Sequence, residues 1–304
     1  MTTHHSTHRR ALLLACASAS LLGACTTVAK APAPNTRKTS SAEDRLAQLE
    51  ASSGGRLGVA AFDVGNNAQI LHRADERFPL CSTFKVIAVS AILNLATKDA
   101  AVLKQRLSIG AQDLVANSPV TGQHVGAAMN VGDLCAAALQ YSDNTAANLL
   151  VKLLGGPSAV TAFARLAGDE TFRLDRLETE LNSAIPGDPR DTSTPGNMAR
   201  SLQGLALDNV LADPQRDQLQ AWLKGNTTGA ARIRAGVPSD WVVGDKTGAG
   251  AHGTTNDIAV LWPPKGSPIV LAVYFTQPDK NAPLRNDVIA EASRIVVDGI
   301  QRRR

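Results

Sequence analysis

Ser82-Thr83-Phe84-Lys85 places a hydroxyl and an amine three residues apart at the predicted start of a helix. Residues i and i+3 share one face of a helix, so the Lys85 amine can approach the Ser82 hydroxyl. A serine hydroxyl becomes an effective nucleophile when a neighbouring base takes its proton. Because such a tetrapeptide is also common by chance on helix surfaces, its meaning depends on the motifs that accompany it.

Two further motifs follow in the chain, Ser142-Asp143-Asn144 and Lys246-Thr247-Gly248. The three motifs in this order are those of class A β-lactamases and penicillin-binding proteins. Between the second and the third, residues 176–182 read RLETELN, which closely resembles the Ω-loop of class A serine β-lactamases. The resemblance extends from about Arg45 to the last predicted helix, and the chain is identified as a member of that family.

Composition is that of a globular protein. The chain has 304 residues, of which 44% are hydrophobic and 19% charged, enough for a sizeable core in one or two domains. A net charge of +4 does not favour nucleic acid as a partner. The isolated histidines His72, His124 and His252 lack ligand spacing, so we expect no metal and no cofactor.

Residues 1–25 have the layout of an export signal: a basic region ending at Arg9-Arg10, an apolar run and small residues before Cys25. Leu22-Gly23-Ala24-Cys25 resembles a bacterial lipobox, which makes Cys25 a candidate for lipidation and membrane attachment; an ordinary cleaved signal is the alternative. The arginine pair also permits twin-arginine export. We expect a periplasmic protein in which residues 26–41 form a flexible tether.

Strand patterns occur near both ends of the mature chain. A helix over Ala42–Ser52 precedes alternating runs at Leu57–Asp63 and Ala68–His72, which predict a β-hairpin. Helical patterns occupy the region from Ser82 to about Ala212. The remaining predicted elements are a helix at Asp213–Lys224, strands at Trp241–Lys246, Thr255–Trp262 and Ile269–Phe275, and a closing helix at Leu284–Gln301. This order predicts an α/β (α+β) fold, one antiparallel sheet with a helical region inserted.

The resemblance implies a five-stranded sheet domain with flanking helices, formed by residues 42–81 and 225–304. An all-helical domain, residues 82–224, would contain the Ω-loop at 175–191. The active site would lie at the junction of the two, where ligand clefts are common.

The resemblance also implies the roles of the motif residues. Ser82 would open a β-lactam ring and form an acyl-enzyme, with main-chain N–H donors of Ser82 and Ala249 stabilising the oxyanion. Ser142 would relay a proton to the departing nitrogen, and Asn144 would bind the substrate amide and Lys85. Glu178 and Asn182 would hold the water that hydrolyses the acyl-enzyme.

The base for acylation stays open at this stage. Lys85 must be neutral to act as base; burial and the cation of Lys246 would lower its pKa, whereas a carboxylate would raise it. The alternative is Glu178 acting through a water.

Further residues match substrate-binding and structural positions of the family. Lys246, Thr247, Thr255 and Arg232 fit the site for the substrate carboxylate, with Arg232 as a bidentate donor. Gly248 and Ala249 belong to a strand whose edge can pair with a substrate amide. Arg176 and Asp191 match an ion pair across the neck of the Ω-loop.

The chain departs from the family pattern at two places in the cleft. Asn117 stands before Ser118-Pro119 where most relatives have an aromatic residue, which removes an apolar contact with ligand and predicts an altered affinity or spectrum. Thr179 follows Glu178 where many relatives have proline, so the isomer of this peptide bond is open.

Cys81 and Cys135 are the cysteines of the predicted folded region. Relatives with a disulfide from the Cys135 position pair it with the residue that is Val89 in this chain, and some relatives pair the Cys81 position with the residue that is Gly250. The resemblance therefore implies two free thiols, buried as small hydrophobes.

The sequence therefore predicts a monomeric serine β-lactamase that hydrolyses penicillins and cephalosporins, confers antibiotic resistance and binds mechanism-based inhibitors. The alternatives are a D,D-peptidase of cell-wall synthesis and a β-lactam sensor that is acylated without turnover. Glu178 with Asn182 favours the hydrolase, because the alternatives lack a dedicated deacylation water site. The substrate spectrum stays open.

Overall fold

The structure, a computed structural model, describes residues 40–304. The predicted export signal, Cys25 and nearly all of the tether therefore lie outside the described residues. Within residues 40–304, no single helix has the length and apolar composition needed to cross a bilayer. A bent pair of helices, Asn144–Leu154 with Pro157–Leu166, meets that criterion only when the two are counted together.

The longer helices and strands follow one another in the order that the sequence pattern predicts. The helices are α1 Ala42–Ser53, α2 Phe84–Lys98, α3 Val131–Gln140, α4 Asn144–Leu154, α5 Pro157–Leu166, α6 Pro195–Ala206, α7 Asp213–Lys224, α8 Ile233–Gly236 and α9 Asn286–Gln301. The strands are β1 Arg56–Asp63, β2 Gln69–His72, β3 Phe78–Pro79, β4 Arg106–Ser108, β5 Ala128–Asn130, β6 Thr192–Ser193, β7 Val242–Gly250, β8 Thr254–Trp262 and β9 Ile269–Thr276.

Five strands form one antiparallel sheet in the order β2-β1-β9-β8-β7. The two ends of the chain thus meet in one sheet, which confirms the predicted topology. Apolar side chains are buried on both of its faces, one against α1 and α9 and the other against the helices inserted between β3 and β7. Double-sided burial explains why β9 and the second half of β8, residues 258–262, read as apolar runs.

Strand β7 positions the Lys246 motif. It lies at the edge of the sheet, pairs with β8 in the register Lys246↔Ile258, and packs against the turn that carries Ser82. It also continues four residues beyond the predicted end at Lys246, because pairing with β8 extends the strand through Gly248 to Gly250.

The short pairs β3–β6 and β4–β5 and helix α8 were not predicted from the sequence. Each strand of these pairs has two or three residues, too few to show a period of two. Residues 40–304 form one compact unit, and the division into a sheet domain and a helical domain stays a prediction.

Candidate active site

Ser82 lies in a tight turn, Cys81–Thr83, immediately before α2. The turn is held from two sides: the Leu80 N–H donates to the Asp191 carbonyl over 2.8 Å, and the Asn256 amide donates to the Pro79 carbonyl over 2.8 Å. Gly248 on β7 packs directly against it, since a Cβ atom at Gly248 would lie 2.9 Å from the Leu80 carbonyl oxygen. A glycine is therefore required for β7 to approach the nucleophile this closely.

The Lys85 amine is fully buried among polar partners. Its Nζ lies 2.6 Å from Asn144 Oδ1, 2.9 Å from the Ser142 carbonyl oxygen and 3.1 Å from Glu178 Oε1. The Ser82 hydroxyl donates to Glu178 Oε1 over 3.0 Å, and within residues 40–304 it forms no hydrogen bond with Lys85. Both groups contact the same oxygen, Glu178 Oε1, and the approach of Lys85 Nζ to Ser82 Oγ that the i,i+3 spacing predicts stays a prediction.

Burial lowers the pKa of the Lys85 amine, an effect that the nearby Glu178 carboxylate opposes. The pKa of Lys246 is lowered well below its ordinary value by burial and by the positive charge of Lys85. Two buried amines beside one another cannot both hold a proton at low cost.

The Ser142 hydroxyl lies between these two amines. Lys246 Nζ donates to Ser142 Oγ over 3.0 Å, and Lys85 Nζ lies 3.4 Å from the same oxygen. Ser142 has a positive φ of 56°, an uncommon backbone conformation for serine. Asp143 fixes it there by accepting hydrogen bonds from the backbone N–H groups of Val120, Thr121 and Ala146.

Glu178 is held at three points. The Asn148 side chain accepts a hydrogen bond from the Glu178 N–H over 2.9 Å and donates to the Glu178 carbonyl over 2.8 Å. Asn182 Nδ2 donates to Glu178 Oε2 over 2.5 Å. Asn182 Oδ1 is buried without a partner in the described part of the chain. The Glu178–Thr179 peptide bond is cis.

Sequence reasoning missed Asn148, although its position could have indicated it. Asn148 lies four residues after Asn144 on α4 and therefore on the same face of the helix. Sequence reasoning also missed Thr228, for a different reason. The Thr228 hydroxyl lies 2.5 Å from the Thr247 hydroxyl, but the two residues are 19 positions apart, and no local sequence pattern indicates such a contact.

The neck of the Ω-loop is closed by the predicted ion pair. Arg176 Nε donates to Asp191 Oδ2 over 2.6 Å, and the Asp191 side chain is 1% exposed. Asp191 Oδ1 also accepts from the backbone N–H groups of Asp175 and Arg176, at 2.7 and 2.9 Å. The Asp191 carboxylate therefore holds the backbone at residues 175 and 176 and also neutralises the Arg176 side chain.

Arg232 and Thr255 are engaged with other groups of the protein. Arg232 Nη1 donates to the carbonyls of Gly248 and Asn256, each over 2.7 Å, and Nε donates to Asn286 Oδ1 over 2.8 Å. Thr255 is fully buried, and its hydroxyl donates to the Gly253 carbonyl over 2.9 Å. Their contact with a substrate carboxylate stays a prediction.

Asn117 lies exposed at the rim of the site with a positive φ of 60°. Asparagine tolerates this conformation better than an aromatic residue. Its carbonyl accepts from the Asn144 N–H over 3.0 Å, and its amide donates to the Ser142 carbonyl over 3.3 Å. Asn117 thus connects the rim of the site to the Ser142-Asp143-Asn144 motif through two hydrogen bonds.

Cys81 and Cys135 are free and buried, as predicted, and burial raises the pKa of both thiols. Among the residues that the structure covers, no group of three or more His, Cys, Asp or Glu side chains is placed to hold a metal ion.

Comparison with known proteins agrees with this geometry. The profile of the β-lactamase enzyme family matches residues 41–300. The chain belongs to this family. It is 55% identical to β-lactamase CTX-M-25 of Escherichia coli over 291 residues, 96% of this chain and 98% of that protein. It is also 55% identical to β-lactamase CTX-M-8 of Citrobacter amalonaticus, over 91% of this chain and 95% of that protein.

A solved structure is also similar. The β-lactamase of Desulfarculus baarsii superposes with a TM-score of 0.84 at 53% identity, over 85% of this chain and 97% of that one. This chain is thus a class A serine β-lactamase, with the mixed α/β fold of the family. As a β-lactamase it hydrolyses β-lactams and thereby confers antibiotic resistance.

Proposed function

We propose that this β-lactamase hydrolyses penicillins and cephalosporins through an acyl-enzyme on Ser82, and that a water activated by Glu178 releases the acyl group. One observation carries the proposal. The Glu178 carboxylate accepts a hydrogen bond from the Ser82 hydroxyl on one oxygen and from Asn182 on the other. One carboxylate thus reaches both the nucleophile and the neighbouring amide that can orient a water.

In acylation, Ser82 Oγ bonds to the lactam carbonyl carbon and its proton passes to Glu178. The 3.0 Å hydrogen bond between these side chains favours Glu178 over Lys85 as base. Lys85, whose Nζ lies 3.1 Å from the same carboxylate oxygen, serves as a slower acylation base when Glu178 is replaced, so the replacement impairs deacylation more than acylation. The backbone N–H groups of Ser82 and Ala249 stabilise the negative charge that develops on the lactam oxygen. The packing of Gly248 against the Ser82 turn brings the two donor segments together.

Collapse of the intermediate breaks the lactam C–N bond, and the nitrogen must gain a proton as it leaves. Ser142 supplies it, because its hydroxyl lies between the Lys85 and Lys246 amines. Those amines, with pKa values lowered by burial, can exchange a proton with the serine. Asn144 keeps Lys85 in place.

Before deacylation, Glu178 passes the proton that it took from Ser82 to Lys85, whose Nζ lies 3.1 Å away, and this replaces the proton that the amines gave to the lactam nitrogen through Ser142. In deacylation, Glu178 takes a proton from water, which attacks the ester carbon, and returns that proton to Ser82 as the ester bond breaks. Asn182 Oδ1 is buried without a protein partner and can accept the second hydrogen bond of that water. A buried acceptor without a partner is costly unless a ligand or water satisfies it. The proposed water site between Glu178 and Asn182 is the feature that separates a hydrolase from a D,D-peptidase or a sensor, which lack it.

Lys246, Thr247 and the edge of β7 supply the charge and hydrogen bonds that recognise the carboxylate and amide of the substrate. Arg232 contributes by holding the Gly248 carbonyl, and Asn117 forms the rim. Mechanism-based inhibitors would acylate the same serine. The proposed protein is a monomer exported to the periplasm, with Cys25 as a candidate for a lipid anchor and with sheet and helical domains as predicted.

Mass spectrometry of the protein mixed with a penicillin tests the mechanism. The unmodified protein should show a transient adduct on Ser82, and a Glu178→Ala variant should accumulate it. Glu180→Ala, an exposed glutamate in the same loop, should behave as the unmodified protein. A long-lived adduct in the unmodified protein would instead support a sensor or a peptidase.

A further inference from the structure

A cavity lies away from the catalytic residues. It has a volume of about 1170 Å³ and is bounded by the end of α1 with Gly54 and Gly55, by the segment from Arg73 to Pro79, by residues 184–189 of the Ω-loop and by residues 276–278. We call it the α1/Ω groove. None of the side chains placed in the active site lines it. Its volume suffices for a small organic ligand.

Four of the charged side chains in the groove neutralise one another. Glu50 accepts hydrogen bonds from Arg73, and Glu76 pairs with both Arg73 and Arg56, with N–O distances between 2.8 and 3.0 Å. Arg77 differs, because within residues 40–304 it forms no ion pair. Its Nη1 donates to the Thr171 carbonyl and to Thr192 Oγ1, both uncharged acceptors. The groove therefore offers one cation without a protein anion.

The Ω-loop side of the groove is mostly apolar, and its carboxylate, Asp188, already pairs with Arg190 over 2.7 Å. Ile185 is 49% exposed, and the prolines Pro186, Pro189 and Pro278 line the groove beside it. Among the hydrogen bonds of residues 40–304, none joins the segment 184–189 to α1 or to β9. A ligand can therefore enter between the segment 184–189 and α1 without breaking hydrogen bonds that join the two.

We propose that the α1/Ω groove binds an amphipathic monocarboxylate, with the carboxylate on Arg77 and the apolar part against Ile185 and the neighbouring prolines. Arginine matches a carboxylate bidentately, and the Nε and Nη2 groups of Arg77 donate to no other group in the described structure. The charge balance excludes a dianion, because the other cations in the groove already have carboxylate partners. The site is separate from the proposed catalytic function and does not depend on it.

The probe is 4-phenylbutyrate, and its neutral amide 4-phenylbutyramide is the matched control. Calorimetric titration of the full-length protein should show saturable binding of the acid and at least tenfold weaker binding of the amide. Arg77→Gln should weaken binding of the acid by about tenfold, and Ile185→Ser by about threefold. Arg294→Gln, an arginine on α9 outside the groove, should leave binding unchanged.

Hydrogen exchange locates the bound probe. The acid should slow amide exchange in residues 47–56 and 184–188 and leave the Ser82 turn unaffected. Absence of saturable binding, equal binding of acid and amide, or binding unchanged in Arg77→Gln would each overturn the proposal. Competitive inhibition of β-lactam hydrolysis that persists in Arg77→Gln would place the probe in the catalytic cleft, which would also overturn it.

Discussion

The Ser82 hydroxyl donates a hydrogen bond to the Glu178 carboxylate over 3.0 Å, although the two residues lie 96 positions apart in sequence. Ser82 belongs to the turn before α2, and Glu178 belongs to the Ω-loop. The contact therefore joins the residue that captures the substrate to the residue that releases it. Any change that displaces the Ω-loop should affect catalysis through this bond.

Glu178→Gln should lower kcat for a penicillin by about 10²–10⁴-fold, because the amide keeps the shape of the side chain and cannot accept a proton. Stopped-flow kinetics would show a burst of acylation followed by slow turnover. Glu180→Gln is the control for a charge change in the same loop. A loss smaller than about tenfold would remove Glu178 as the general base.

Asn148→Ala should destabilise the protein by about 2 kcal/mol, because it leaves the buried N–H and C=O groups of Glu178 without partners. Urea unfolding measures the change in free energy, and kcat should fall as Glu178 loses its position. Asn281→Ala, on an exposed loop, serves as control. Unchanged stability and kcat would show that α4 does not fix the Ω-loop.

Asp191→Asn should cost about 3 kcal/mol of unfolding free energy, because the half-buried Arg176 guanidinium loses its counter-charge. Asparagine suits the positive φ of 54° at this position, so the loss reports on charge and not on backbone strain. A double-mutant cycle that combines Asp191→Asn with Arg176→Ala measures the interaction energy between the two side chains.

The pair Arg190–Asp188, in which the arginine side chain is 48% exposed and the aspartate 13%, provides the comparison for that ion pair. Arg190→Ala should leave the unfolding free energy nearly unchanged, because an ion pair with a solvent-exposed cation contributes little. Equal losses at both pairs would contradict a special role for the neck of the Ω-loop.

The buried Asp257 carboxyl group should make the free energy of unfolding depend on pH. It is fully buried, its Oδ1 has no partner within residues 40–304, and burial and the nearby Asp245 raise its pKa well above 3.8. The folded protein therefore keeps a proton that the unfolded chain releases. This stabilising contribution is full below pH 3.8 and is lost as the pH rises through the raised pKa.

Asp257→Asn removes this titration. The stability of the variant relative to the unmodified protein should therefore increase as the pH rises from about 4 to 8. Urea unfolding at several pH values measures the difference, with the exposed Asp240→Asn as control. A difference that does not change with pH would show that Asp257 is ionised in the folded protein.

Much of the fold could be predicted from local patterns. Alternation at β1 and β2, the apolar residues of β9 and of the second half of β8, and helical periodicity between them indicate which segments form strands and helices. One antiparallel sheet could be predicted because strands lie on both sides of the helical region, whereas the order β2-β1-β9-β8-β7 came from the structure. The two-residue strands β3 and β6 could not be predicted, since they exist only through their contact with each other.

The amino-acid sequence by itself determined the chemistry available to this protein: a serine and a lysine three residues apart, two further motifs in the right order, and a glutamate with an asparagine four residues on. Only the tertiary structure decided which of these groups meet. Packing placed Ser82 against Glu178 and turned the Thr255 hydroxyl to Gly253. Hydrogen-bond partners separated by long stretches of chain depend on how the sheet and the helices approach one another, and no local pattern encodes that approach.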